Sequence, residues 1–208
     1  MKTISIISQK GGAGKTTLAL NLAGAVEAAG FQAVVIDLDP QASAKGWHDR
    51  RTHEVPVVIS AHASRLAEVI GAAREHGAHF CIIDTAPHSE TTALAAAKVA
   101  DLVLIPCRPA VFDLRAISTS ADLTQIAGRP ALIVINAAPP RGPLADQAAE
   151  AITTYGIPVA SARVTQRVAF VHSLTRGQTV LEYEPNGAAA REIRNLFMML
   201  CKHEIMIT

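Results

Sequence analysis

Residues 8–17 read Ser-Gln-Lys-Gly-Gly-Ala-Gly-Lys-Thr-Thr and follow the apolar run Ile4-Ser5-Ile6-Ile7 near the start of the chain. An apolar strand, a glycine-rich turn and a Gly-Lys-Thr that opens a helix are typical of a phosphate-binding loop. The backbone N–H groups of such a loop turn inward onto a polyphosphate, and the helix N-terminus adds its positive dipole end. Lys15 is then expected to reach the terminal phosphates, and the Thr16 hydroxyl to ligate Mg²⁺.

This loop departs from the general pattern G-x-x-x-x-G-K-[ST] at its first position, where Gln9 replaces glycine. Lys10 follows directly and is a second lysine inside the loop. One bound nucleotide does not require two lysines. We therefore expect Lys10 to help neutralise phosphates that are bound by a facing subunit.

The composition favours a single α/β domain that spans residues 1–208. Half of the residues are apolar and only 4% are aromatic, so the core must consist of Val, Ile, Leu and Ala. Such a core suits a parallel sheet that is covered by alanine-rich helices. The net charge of +1 is too small to attract the whole chain to nucleic acid or to a membrane. Any such binding therefore needs a local basic patch on the surface, or a basic patch that dimerisation assembles.

The cysteines and the hydropathy pattern favour a soluble cytoplasmic protein. Cys81, Cys107 and Cys201 are far apart and form no C-x-x-C pair, and we expect no signal peptide. Cys81 and Cys107 lie in apolar runs, where buried structural thiols are expected. No apolar stretch approaches the roughly 20 residues that are needed to span a bilayer.

Apolar runs of strand length alternate with segments of helical spacing along the whole chain. This alternation predicts an α/β fold, with a doubly wound, mostly parallel sheet flanked by helices and ligands at the C-terminal ends of the strands. The predicted strands are Ile4–Ile7, Ala33–Leu38, Val55–Ile59, Phe80–Asp84, Leu102–Pro106, Ala131–Asn136 and Ile157–Ala160. The predicted helices are Thr16–Ala29, Ser64–His76, Thr91–Val99, Leu114–Ile126 and Leu144–Tyr155.

Three aspartates stand where predicted strands end. Asp37 and Asp39 follow Val34-Val35-Ile36, and Asp84 follows Ile82-Ile83. A single aspartate at a strand end commonly caps the next helix or turns the chain. Downstream of a phosphate-binding loop, however, an aspartate after an apolar strand is expected to hold the water shell of Mg²⁺, which keeps most of its waters and needs few protein ligands. We assign this role to Asp84.

These motifs together resemble a known family. Residues 10–17 are similar to the deviant Walker A box of the ParA/MinD family of P-loop ATPases. Asp37-Leu38-Asp39-Pro40-Gln41 resembles its Walker A′ box, and Ile82-Ile83-Asp84-Thr85-Ala86-Pro87 resembles its Walker B box. Residues 177–185 are similar to the G-x-P-V-L-E-Y-D-P run of ParA proteins, with Thr179 in place of the usual proline.

The resemblance implies an ATPase that uses ATP and Mg²⁺. Lys10 is the signature lysine that reaches the partner's phosphates in a nucleotide-sandwich dimer, Asp39 orients or activates the attacking water, and Asn136 reads the adenine. The implied nucleotide-binding set is Lys10, Gly11, Gly12, Ala13, Gly14, Lys15, Thr16, Thr17 and Asn136. Because a positive charge completed only on dimerisation accelerates phosphoryl transfer, hydrolysis is expected to be slow in the monomer and stimulated by association.

The segment Arg108–Leu114 resembles the family's switch-like P-x-x-x-D-x segment. The alternative interpretation is a loop that enters a helix, with Asp113 near the helix N-terminus.

Within the family, the sequence favours a short ParA of the ParF-like group. The phosphate loop begins at residue 8, so we expect no preceding helix-turn-helix domain and no operator-specific repression. The resemblance implies an ATP-dependent homodimer that binds non-specific DNA, associates with the nucleoid, and is stimulated by a ParB-like centromere-binding partner. Arg163, Arg167 and Arg194 are the candidate DNA-binding residues, with contacts directed at phosphates and weakened by salt.

Two other classes of the family remain open, and so does the choice between DNA and a protein cluster as cargo. A MinD-like protein needs an amphipathic C-terminal helix, and Arg191–Lys202 carries an apolar stripe, although packing on the sheet explains that stripe better. The short, uncharged tail Ile205–Thr208 keeps the membrane interpretation open. We expect no stable membrane anchor. An iron–sulfur carrier or reductase needs bridging cysteines, and Cys107 alone supplies half of a four-thiolate site in a dimer.

Overall fold

The computed structural model describes residues 1–202, and the side chains of residues 111–116 are outside this description. Asp113 and the tail Ile205–Thr208, on which two expectations above depend, therefore lie outside the described residues. In the described part, a sheet of six parallel strands has the order β3-β2-β4-β1-β5-β6. The strands are β1 (Lys2–Ile6), β2 (Ala33–Asp37), β3 (Val57–Ser60), β4 (Phe80–Asp84), β5 (Leu102–Cys107) and β6 (Ala131–Ile135).

The register of the three central strands places the site. Ile6, the last residue of β1, pairs with Asp84, and Asp84 pairs with Asp37 at the end of β2. Because parallel strands end at the same edge of a sheet, the loops that follow these residues leave the sheet side by side.

Helices cover both faces of the sheet. They are α1 (Lys15–Ala28), α2 (Ser43–His48), α3 (Leu66–Glu75), α4 (Glu90–Val99), α5 (Val111–Ala127), α6 (Leu144–Ile152), α7 (Val168–Thr175), α8 (Val180–Tyr183) and α9 (Ala188–Lys202). Short 3₁₀ turns occupy Ala63–Arg65 and Thr153–Tyr155. One face packs against α1, α2, α7, α8 and α9, and the other against α3, α4, α5 and α6.

The predicted α/β fold is confirmed, and three details differ. The predicted strand Ile157–Ala160 is wrong, since its Val159 forms only an isolated bridge with Ile133 of β6. The predicted helix Leu144–Tyr155 ends as an α-helix at Ile152 and tightens into the 3₁₀ turn. The helices α2, α7 and α8 were not predicted, because segments of eight residues or fewer give too little periodicity to recognise.

The apolar stripe of the last helix is part of the core. Ile193, Leu196, Phe197 and Leu200 are buried, and α9 packs against α1. Phe197 also meets Phe80 of β4 edge to face, with ring centroids 5.6 Å apart. The packing interpretation of this stripe is therefore confirmed. Among the described residues, the helices are all too short or too polar to cross a lipid bilayer.

Candidate nucleotide-binding site

The loop between β1 and α1 has the backbone of a phosphate cradle. Gly12 and Gly14 adopt left-handed conformations, with φ of +76° and +88°, and α1 begins at Lys15. The helix N-terminus therefore opens directly out of the loop, as expected for an anion site. The loop is also tied to the segment after β4, because the N–H of His88 donates to the carbonyl of Gln9 at 3.3 Å.

The two lysines of this loop have different surroundings. The side chain of Lys15 turns back into the loop, where its Nζ lies 3.5 Å from the carbonyl oxygen of Lys10. Burial lowers the pKa of Lys15, while the charges of Asp84 and Asp39 oppose that shift. Lys10 is less buried, and exposed Gly11 and Gly12 follow it at the rim of the loop. Its charge acts on the Cys107 thiol, whose pKa burial nevertheless raises to about 11.

Thr16 and Asp84 form the second part of the site. The Thr16 hydroxyl donates to Asp84 Oδ2 at 2.6 Å, while Asp84 Oδ1 is buried without a hydrogen-bond partner in the described part of the chain. Burial raises the pKa of Asp84 to about 7, against the hydrogen bond from Thr16 and the charge of Lys15, and the charges of Asp37 and Asp39 add to the rise. A hydroxyl beside a carboxylate with an unsatisfied oxygen fits the oxygen-rich surroundings that Mg²⁺ and its water shell require.

Asp37, at the end of β2, and Asp39, two residues later, have different surroundings. Asp37 is fully buried, and its carboxylate accepts the N–H groups of Asp39 at 3.0 Å, Ala44 at 3.0 Å and Lys45 at 3.1 Å. Burial raises the pKa of Asp37, and these backbone hydrogen bonds act in the opposite direction. Asp37 thus fixes the loop and the start of α2. Asp39 is only partly buried, and its Oδ1 accepts the Gln41 N–H at 2.9 Å.

Asn136 lies against the phosphate loop. Its Nδ2 donates to the carbonyl of Ala13 at 2.7 Å, and a Cβ placed on Gly14 would lie 2.3 Å from the same nitrogen. The amide therefore braces the loop from the end of β6, a contact that the sequence analysis did not anticipate. A contact with adenine stays a prediction.

The arginines selected for DNA binding are engaged by the chain itself. Arg163 pairs with Asp146, and Arg167 forms two hydrogen bonds to Glu192 Oε1, at 3.1 and 2.7 Å. Arg194 donates to the carbonyl of Pro185 at 2.7 Å. Their contribution to DNA binding stays a prediction, and phosphates would have to compete with these partners.

Cys107 does not look like a cluster ligand in this arrangement. Its side chain is buried among apolar residues of β5, β6 and α5, and its Sγ donates to the Arg108 carbonyl at 3.3 Å. With the pKa of its thiol raised to about 11, Cys107 is in the protonated form at neutral pH. Because the thiol is enclosed in this apolar cluster, the buried structural interpretation fits better.

Comparisons with known proteins agree with this geometry. A family model described as the CobQ/CobB/MinD/ParA nucleotide binding domain matches residues 4–180. The chain is 31% identical to the maintenance of carboxysome distribution protein A of Gloeobacter kilaueensis, over 92% of the chain and 88% of that protein. Its identity to the protein of the same name from Halothiobacillus neapolitanus is 27%, over 93% and 94%. The cell division ATPase MinD of Pyrococcus furiosus has a similar structure, with a TM-score of 0.74 and 22% identity over 96% of this chain and 98% of that one.

Proposed function

The chain belongs to the CobQ/CobB/MinD/ParA family of nucleotide-binding domains, and we propose that within it this protein is a slow, partner-stimulated ATPase that positions cargo on DNA. ATP draws two subunits together face to face, and the dimer binds DNA without sequence preference. A partner on the cargo stimulates hydrolysis and so releases the dimer from DNA. This cycle suits a site in which part of the positive charge comes from the second subunit.

Each residue of the site has a place in this proposal. Lys15 and the backbone N–H groups of residues 11–17 hold the phosphates, and Thr16 and Asp84 hold Mg²⁺ and its waters. The bound Mg²⁺ supplies positive charge to the phosphate oxygens. Asp39, which is held on the loop that Asp37 fixes, orients the attacking water.

The two unequal lysines of the loop are the observation that carries the proposal. Lys15 is buried and faces the site of its own subunit, whereas Lys10 lies at the rim beside the exposed Gly11 and Gly12. A cation at the rim is suited to the phosphates of a facing subunit. Transition-state charge supplied in trans accelerates phosphoryl transfer by about 10³- to 10⁵-fold, which makes hydrolysis depend on dimerisation.

Two kinds of cargo remain as candidates. A plasmid or chromosome that carries a ParB-like centromere-binding protein agrees with the motif resemblance. The names of the bacterial relatives concern carboxysome distribution, which favours a protein body as the second candidate. Both cargoes use the same ATP and DNA cycle and differ in the partner.

A MinD-like attachment to the membrane receives less support. The apolar stripe that suggested such an attachment lies on α9, and its residues Ile193, Leu196 and Phe197 are buried in the core. Releasing that face would cost the packing of α9 against α1, because each buried side chain of this size contributes about 1.5–3 kcal/mol.

The test uses Asp39→Ala, with Asp49→Ala as the matched control, since Asp49 is an exposed carboxylate just after α2. Each protein is sedimented with non-specific duplex DNA and, separately, with anionic phosphatidylglycerol vesicles, in ATP and in ADP. We expect Asp39→Ala to bind ATP without hydrolysing it and to pellet with DNA only in ATP, with binding that fades as salt rises. Asp49→Ala should behave as wild type. Hydrolysis by Asp39→Ala at the wild-type rate would refute the role of Asp39, and binding to vesicles instead of DNA would favour the membrane class.

The role of Lys10 has its own test. Lys10→Ala should bind ATP but remain monomeric in analytical ultracentrifugation, while Lys98→Ala, which removes an exposed lysine of α4, should still dimerise with ATP. Dimerisation and hydrolysis at wild-type levels in Lys10→Ala would contradict the proposed exchange across the interface.

A further inference from the structure

Arg51 connects two distant segments through a nearly inaccessible guanidinium. Its side chain is only 1% exposed and lies between the end of α2 and the run 177–185, whose similarity to ParA proteins the proposed function does not use. The guanidinium donates to Glu182 Oε1 at 2.7 Å and Oε2 at 3.1 Å, and to the carbonyl of Gly177 at 2.7 Å. It also donates to the carbonyl of Val55.

Glu182 is shared between Arg51 and its own helix. Its Oε2 accepts the Thr179 N–H at 2.6 Å and the Thr179 hydroxyl at 3.0 Å, which forms a capping box at the start of α8. Burial raises the pKa of Glu182, but the hydrogen bonds from Arg51 and Thr179 outweigh it, so the pKa lies below its ordinary value. The carboxylate is therefore ionised at neutral pH and makes charge-assisted hydrogen bonds, which are the stronger kind.

The same segment is fixed to the helix that follows the phosphate loop. The Val180 N–H donates to Asn21 Oδ1 at 2.8 Å, and Asn21 Nδ2 donates to the carbonyl of Thr17 at 2.7 Å. Asn21 is fully buried. The start of α8 is thus held one hydrogen-bond step from the first turn of α1, which carries Lys15 and Thr16.

On its other side, Arg51 holds the segment that follows Asp39. The guanidinium lies 4.4 Å from the centre of the Trp47 ring in α2, and the indole N–H of Trp47 donates to the carbonyl of Gln178 at 3.3 Å. The start of α2 is held by Asp37 through the N–H groups of Ala44 and Lys45, and the same carboxylate holds the N–H of Asp39. A shift of α2 would therefore be felt at Asp39.

We propose that Arg51 is a positioning residue for ATP hydrolysis, because it holds α2, and through α2 Asp39, in register with the phosphate loop on α1. The inference rests on the role of Asp39 in the proposed function. Without the hydrogen bonds of Arg51 to Glu182 and Gly177, the contacts that the described part of the chain shows between α2 and residues 177–182 are the Trp47 hydrogen bond to Gln178 and apolar packing. The residues assigned to phosphate binding lie in the loop before α1 and in its first turn, and α2 contributes none of them. The effect of losing Arg51 therefore falls on the hydrolytic step rather than on ATP affinity.

The experiment compares Arg51→Met with Arg65→Met. Arg65, in the turn before α3, forms an ion pair with Glu68 of α3, and its N–O distance of 2.7 Å equals that between Arg51 and Glu182. The side chains of Arg65 and Glu68, however, are both exposed. Arg51→Met is expected to fold, because the Glu182 side chain is 30% exposed and its carboxylate keeps its Thr179 donors. We expect kcat for ATP to fall about 10- to 100-fold, as for a misplacement of about 1 Å, with KM changed less than about threefold. Arg65→Met should leave both constants unchanged.

The chain has a single tryptophan, Trp47, and it contacts the Arg51 guanidinium. Its fluorescence therefore reports on the contact between α2 and residues 177–182. Its emission should shift to the red in Arg51→Met and stay at the wild-type wavelength in Arg65→Met. Arg51→Lys, which keeps the charge but cannot hold both oxygens of Glu182 and the Gly177 carbonyl in one plane, should recover less than half of the lost kcat. A folded Arg51→Met with unchanged kcat, or one that loses ATP affinity and kcat together, would overturn the proposal.

The outcome with Asp39→Ala separates this inference from the function on which it rests. If Asp39→Ala hydrolyses ATP normally, the proposed role of Asp39 fails, whatever Arg51→Met does. If Asp39→Ala is inactive while Arg51→Met keeps the wild-type kcat, only the positioning role of Arg51 fails.

Discussion

Replacing Gly14 with alanine should destabilise the nucleotide-free protein through two separate effects. Gly14 has φ +88°, and a left-handed conformation costs an L-residue about 1–2 kcal/mol. The new Cβ would also lie 2.3 Å from Asn136 Nδ2, so the flexible amide must move and lose its 2.7 Å hydrogen bond to Ala13, at a cost of about 1 kcal/mol. Together these effects predict a loss of about 2–3 kcal/mol.

Gly12→Ala is the matched control for the backbone effect. Gly12 has φ +76°, and a Cβ there would meet no atom of the described residues within 4 Å, so we expect only the conformational cost of about 1–2 kcal/mol. In an Asn136→Ala background, the clash at Gly14 is absent, because Asn136 contributes the two atoms that come within 4 Å of that Cβ among the described residues. The cost of Gly14→Ala should therefore fall to that of Gly12→Ala.

The assay is urea unfolding without nucleotide, followed by Trp47 fluorescence and by circular dichroism. The two single variants at positions 14 and 136 and their double variant give a coupling free energy, which we expect to be about 1 kcal/mol. Equal costs for Gly14→Ala in the wild-type and Asn136→Ala backgrounds would refute the contact between Asn136 and the loop. A cost for Gly12→Ala as large as that for Gly14→Ala would lead to the same conclusion.

Three further predictions test the remaining parts of the site and the core. Because the pKa of Asp84 is raised to about 7 in the folded chain, that chain holds a proton that the unfolded chain has released, so stability without nucleotide should fall as pH rises from about 4 to about 7. Asp84→Asn should flatten this dependence in urea melts at several pH values. Asp37→Ala removes the acceptor of three backbone N–H groups and should cost at least about 3 kcal/mol in the same melts, since each orphaned donor costs about 1–3 kcal/mol. Leu196→Ala should lower stability by about 2–5 kcal/mol, whereas Met198→Ala, at an exposed position of the same helix, should change it by less than about 0.5 kcal/mol; similar effects would contradict the buried placement of α9.

The order of the main elements follows from local features of the sequence. Six apolar runs became strands of four to six residues, because β-branched and other apolar residues in such runs suit a sheet that is buried on both faces. Ile157–Ala160 has the same local pattern, yet it contacts β6 only through an isolated bridge between Val159 and Ile133. A run of apolar residues indicates burial, and whether its backbone groups pair with a strand depends on the neighbour that the fold provides.

The sequence by itself determined the phosphate loop between β1 and α1, because a glycine-rich turn between a strand and a helix allows few other conformations. Only the tertiary structure decided which aspartate of the Asp37–Asp39 pair anchors the loop, that Asn136 braces Ala13, and that Arg51 joins α2 to Glu182 across 131 positions of the chain. These are contacts between segments that are distant in sequence. Their partners are set by how helices pack on the sheet, and no local spacing encodes that packing.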